Sequence, residues 1–230
     1  MKNNKRVKMS LYINIMITIL TIIATIIMIT GFKFMTGVEP VLESTKIGVF
    51  KFFTVDSNLF AGIISFIFIL NEISIIKGEK KEISDKLYIL KLMATTAVSL
   101  TFIVVFVYLG NIAENGLISL LLNSNLFFHL IIPLLNIIDF IFFIKKENIT
   151  YKYAFYGLIP TLLYAVFYTT NVIIHIENGR VSPKYDWYWF VQNGLWTIVI
   201  VAPMILLITY IISVILLLLN KIINRKLQDK

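Results

Sequence analysis

Two residues of this 230-residue chain could carry acyl chemistry together, Thr54 and His129. A threonine hydroxyl becomes a nucleophile when a neighbouring base takes its proton, and a neutral imidazole suits that task near neutral pH. Asn58, one helical turn after Thr54, is placed to donate to an oxyanion, as are the backbone N–H groups of the same turn. Asn125, one turn before His129, is placed to orient the ring. The chain has no cysteine, which excludes disulfides, thiolate metal sites and a cysteine nucleophile. Its two histidines, His129 and His175, and the absence of an H-E-x-x-H motif argue against a metal site, and no cofactor is implied.

These residues sit in a chain built for lipid. With 58% hydrophobic and 15% charged residues it is too apolar for a soluble globule, whose usual values are about 45–50% and 25%. Long runs free of acidic and basic residues predict an all-α membrane bundle, a single domain over 1–230. Its six helices are expected at roughly 10–32, 54–76, 90–110, 124–144, 154–175 and 194–219, each long enough to cross about 30 Å of hydrocarbon. The first run is too long for a cleaved signal peptide and reads as a retained anchor.

Of the 21 basic residues, 16 fall before the first span, at 77–91, at 145–152 and after 220, and five (Lys33, Lys46, Lys51, Arg180, Lys184) fall on the other side. The positive-inside rule then places both termini in the cytoplasm of a cell-membrane protein. The net charge of +8 is an orientation signal facing anionic lipid, and no nucleic-acid partner is implied. Tyr185, Trp187, Tyr188, Trp189 and Trp196 read as an interfacial aromatic belt on the outer side.

Polar residues inside spans are costly and cluster where they have work to do. On the second span Thr54, Ser57, Asn58, Ser65 and Glu72 share about 100° of arc, with Asp56 facing away toward the interface. Asn125, His129, Asn136 and Asp139 share about 80° on the fourth span, and Thr161, Tyr164, Tyr168, Asn171 and His175 a similar arc on the fifth. Ser57, Asn136, Tyr164, Tyr168, Asn171 and His175 are therefore expected to line a polar cavity. Thr54 and His129 both fall near the outer leaflet. Plainer roles stay open: Thr54, Asp56 or Ser57 as a helix cap, His129 as an interior hydrogen-bonding residue, His175 as a solvated one, and the tyrosines as packing. Glu72 and Asp139, toward the cytoplasmic ends, have Lys91 and Lys145 within reach as structural partners.

Two segments add a resemblance. Phe52-Phe53-Thr54-Val55-Asp56-Ser57-Asn58-Leu59 opens the second span, and Asn125-Leu126-Phe127-Phe128-His129 continues through Pro133 to Asp139-Phe140 in the fourth. An F-T-x-x-S-N-L opening followed by H-x-x-x-P and D-F resembles the androgen-induced-gene family. That family includes the androgen-dependent TFPI-regulating protein and many bacterial membrane proteins. The resemblance implies a six-span threonine hydrolase of fatty acid esters, with Thr54 and His129 at the positions of the family's nucleophile and base. The stretch Lys184-Tyr185-Asp186-Trp187-Tyr188-Trp189-Phe190 departs from the Y-P-Y-like segment frequent in bacterial relatives.

The expected activity is hydrolysis of a lipid ester in the outer leaflet, with membrane lipids as partners. The rival is a non-enzymatic transporter or lipid- or protein-binding component. Against a transporter stand the missing inverted repeat and the outward bias of the polar cluster. A metal-dependent membrane hydrolase is the weakest reading.

Overall fold

The computed structural model describes residues 2–35, 46–112, 116–146, 149–191 and 193–228. Among them six helices are long and apolar enough to span a membrane: α1 Lys5–Thr30, α2 Phe53–Ile76, α3 Asp85–Leu109, α4 Ser124–Phe143, α5 Tyr151–Ile174 and α6 Leu195–Lys226. Six crossings return the chain to its starting face, and Arg6 Nη2 reaches Asn224 Oδ1 (3.0 Å) across the two terminal helices. The termini face and the opposite face are named below by that geometry alone.

The predicted spans match except where polar residues extend a helix beyond the hydrocarbon. Helix α3 begins at Asp85 because Ser84 caps it, accepting the Leu87 N–H at 3.3 Å. Helix α6 runs on through its charged end. One element outside the all-α expectation is a hairpin, Ile176–Glu177 paired with Arg180–Val181. Asn178 and Gly179 turn it at φ of 51° and 75°, the left-handed pair a two-residue hairpin turn requires.

Helix α2 packs between α1 and α3. Lipid offers no hydrophobic drive between helices, so small residues permit close contact instead. A Cβ on Gly62 would lie 2.7 Å from Thr21 Cγ2, so this glycine sets the α1–α2 distance. Gly157 does the same where α5 meets Ser213 of α6 and Thr96 of α3. Isoleucines such as Ile19, Ile22 and Ile26 stay exposed on the outward side of α1, the surface that lipid would cover.

Helix α4 is not a uniform α-helix. It widens to π-turns at Phe127–Ile131 and Asp139–Phe143. Pro133 explains the first. It has no N–H to donate, and its ring crowds the carbonyl one turn back. In the widened turn the Ile132 N–H reaches Phe127 O, and the next donor in register, on residue 133, is missing. The Phe128 carbonyl is thereby left for another partner. At the far end, Ile144 N–H closes the second π-turn on Asp139 O (3.1 Å), and Asn220 Nδ2 of α6 donates to Phe140 O (2.6 Å) and Ile144 O (2.9 Å).

Candidate functional site

The orphan carbonyl of Phe128 is taken by Asn58. Its amide donates to Phe128 O at 3.0 Å and to Thr54 O at 2.7 Å. One buried side chain therefore ties the first turn of α2, carrying Thr54, to the π-turn carrying His129. Both amide protons are committed, so Asn58 has none for an oxyanion, the role its spacing suggested; it positions the two elements instead.

Thr54 does not cap α2. The helix starts at Phe53, Phe52 occupies the cap position without a side-chain bond, and the Tyr188 hydroxyl accepts the Phe53 N–H at 2.9 Å. Burial pushes the Tyr188 hydroxyl up to about 12. The N–H groups of Val55 and Asp56 turn back onto Phe52 O. This leaves the N–H of Thr54 as the open donor of that turn among the described residues.

His129 is 8% exposed, and its Nδ1 lies 2.5 Å from the carbonyl of Leu120. A carbonyl can only accept, so Nδ1 carries the proton and Nε2 presents a lone pair. That is the tautomer of a general base. The orienting group is the Leu120 carbonyl, nine residues upstream in the chain, rather than Asn125, whose backbone N–H bonds Leu122 O while its side chain stays buried.

The expected cavity-lining residues separate into three groups. Ser57 and Tyr164 do line a cavity, about 450 Å³ between α2, α3 and α5 and otherwise largely apolar. Phe53 and Asp56 line it as well, so Asp56 faces this space rather than the interface; Thr54 is not among its lining residues. Asn136 turns onto its own helix, donating to Ile132 O at 3.0 Å. Tyr168, Asn171 and His175 hold the α5–α6 connection: Tyr168 donates to Asp186, Asn171 to Tyr185 O (2.8 Å), and His175 stacks on Tyr185 at 3.6 Å.

That connection is not simply an aromatic belt. Trp187 is buried and donates through Nε1 to the Tyr164 hydroxyl (3.1 Å), which itself donates to Lys51 O (2.5 Å). Asp186 is buried beneath it and accepts the N–H groups of Phe190 (2.9 Å) and Val191 (3.1 Å). Trp189 and Trp196 remain exposed, as a belt requires. The loop therefore roofs the ends of α2 and α5 near Thr54.

A second constellation lies toward the termini face. Lys91, at the start of the expected third span, sits inside α3 with no exposure and contacts Asp139 Oδ2 of α4 at 2.9 Å, also with none. It also donates to Asn14 Oδ1 (2.6 Å) of α1 and Ser65 Oγ (3.2 Å) of α2, and lies 5.2 Å from the Phe68 ring centre. Ser10 Oγ donates to Asp139 Oδ1 (2.6 Å), and Asn14 Nδ2 donates to Asp139 Oδ2 (3.0 Å). The pairing of Asp139 with Lys91 fits the expectation, whereas Ser10 and Asn14 were missed. Their signal was present: Asn14 is the one amide in the expected first span, and Ser10 lies one turn before it.

Among the described residues no group of three or more His, Cys, Asp or Glu side chains is arranged to hold a metal ion. Comparison of the chain with protein-family models, with curated proteins and with solved structures returns no match.

Proposed function

We propose that this multi-pass membrane protein is an intramembrane hydrolase of lipid esters, with Thr54 as nucleophile and His129 as general base, related to the androgen-induced-gene family its motifs resemble. The observation that carries this reading is the Asn58 amide, which joins the carbonyl of Thr54 to that of Phe128, the residue before His129. The Leu120 carbonyl adds a second support by leaving Nε2 of His129 as the acceptor.

In the proposed reaction Thr54 Oγ1 attacks the ester carbonyl and its proton passes to His129 Nε2. The C–O bond to the alcohol breaks, and the imidazolium returns the proton to the departing alkoxide. Water then attacks the acyl-threonine, giving its proton to Nε2; the fatty acid leaves and Thr54 regains its hydroxyl proton. The open Thr54 N–H is the backbone donor this turn offers to the tetrahedral oxyanion. The largely apolar cavity between α2, α3 and α5 offers room for an acyl chain already dissolved in the bilayer. Under the positive-inside rule the termini face is cytoplasmic, so the reaction lies on the outer side of the cell membrane.

Turnover of fatty acid esters by purified protein in detergent, measured for wild type, Thr54→Ala and His129→Ala, tests the proposal. Loss in both variants with retained folding supports it; undiminished turnover in both removes it. The buried Lys91–Asp139 pair favours a second reading, an ion-coupled transporter. Solute flux into proteoliposomes without ester turnover would select that one.

A further inference from the structure

Among the described residues the Glu72 carboxyl is held only by long contacts from Asn14, 3.5 Å to each oxygen. It is 1% exposed on α2, yet it lines a cavity of about 440 Å³ on the termini face together with Lys81, Glu82 and Lys145. The donors of the buried cluster, Lys91, Ser10 and Asn14, are already engaged. An ammonium has three N–H groups, and those of Lys91 face Asp139, Asn14 and Ser65. The single hydroxyl proton of Ser10 goes to Asp139. Asn14 Nδ2 has two protons and closer acceptors in Ser10 O and Asp139 Oδ2, both at 3.0 Å; it stands 3.5 Å from either oxygen of Glu72.

The charge count agrees with the hydrogen bonds. The buried cluster holds one ammonium and two carboxyl groups, and Lys91 is spent on Asp139. A buried carboxylate without a counter-charge is strongly disfavoured, so a further positive charge belongs at Glu72. The open cavity gives it a route in. Among the described residues the charged groups around the carboxyl are Lys91 from α3, Asp139 from α4, and Lys81, Glu82 and Lys145 at the cavity.

We infer that Glu72 is the ligand of one monovalent cation, a proton or an alkali-metal ion, taken up through the cavity on the termini face. The site is separate from Thr54 and His129 and does not depend on ester chemistry.

The test uses full-length protein in detergent. Its melting temperature is followed across pH, and at fixed pH across sodium, potassium and lithium, with choline holding ionic strength. Wild type is expected to respond to one series: to pH if the cation is a proton, to alkali ion if it is a metal. Glu72→Gln keeps the shape and removes the charge, and it should lose that response, whereas Thr54→Ala should keep it. The same pH and ion dependence in wild type and Glu72→Gln overturns the inference. Should the Gln variant fail to assemble, infrared difference spectra of wild type across the same series decide: a shifting buried-carboxyl band supports the site, and an unmoved one overturns it.

Discussion

Removing one partner of the Lys91–Asp139 pair is expected to destabilise the bundle far more than removing both. The pair is 2.9 Å apart with neither side chain exposed. Lys91→Met strands Asp139 as a buried carboxylate that keeps Ser10 and Asn14 as donors but loses its counter-charge. Asp139→Leu strands the ammonium, which keeps Asn14 and Ser65 as acceptors and the Phe68 ring at 5.2 Å but loses its direct ion pair. Breaking a buried pair in this way costs about 3–5 kcal/mol, whereas replacing both partners with apolar residues of similar volume is often neutral or stabilising by about 1–4 kcal/mol. The double variant should therefore be more stable than either single, with a coupling energy of about 3 kcal/mol or more across the cycle. Reversible unfolding in mixed micelles, by urea or by steric trapping, measures all four corners. Single variants that each cost under about 1 kcal/mol, or a double equal to the sum of the singles, would refute the reasoning.

Asn58→Leu removes the amide that joins the Thr54 and Phe128 carbonyls and leaves both without that donor. It should cost about 1–3 kcal/mol in unfolding measurements, and in ester-turnover assays kcat should fall with KM little changed. Asp186→Ala releases Tyr168 and the N–H groups of Phe190 and Val191, so limited proteolysis should cut the α5–α6 connection first, with a stability loss of about 2–3 kcal/mol. Gly62→Leu drives a side chain into Thr21 and should cost about 1–3 kcal/mol, while the smaller Thr21→Ala on the same background should recover part of it.

Hydropathy made the bundle legible because a span must be apolar over some 20 residues whatever its neighbours are. Facing was legible too: the α2 stripe joins Asn58, Ser65 and Glu72, and all three are buried. Partnership was not. Asn58 and Asn125 look equivalent in sequence, each one turn from a reactive residue, but only Pro133 decides that Phe128 O is free to accept Asn58. The orienting group of His129 is a backbone carbonyl, which no residue type announces. Lys91 was expected at the very start of the third span, but its full burial against Asp139, Asn14 and Ser65 depends on three other helices meeting there. Asp186 stands among aromatics that suit an interface, and its burial depends on the loop folding back over α5. Long-range contacts of this kind are set by helix register and close approach, which a one-dimensional pattern does not encode.

The acyl-threonine is the species on which the proposed chemistry turns. Protein mixed with a fatty acid ester, quenched in acid within a single turnover and digested, can be read by mass spectrometry for the peptide containing Thr54. An acyl group ester-linked to Thr54, formed in wild type and absent in both Thr54→Ala and His129→Ala, is the expected result. Ester turnover that proceeds with no acyl group on Thr54 would contradict it.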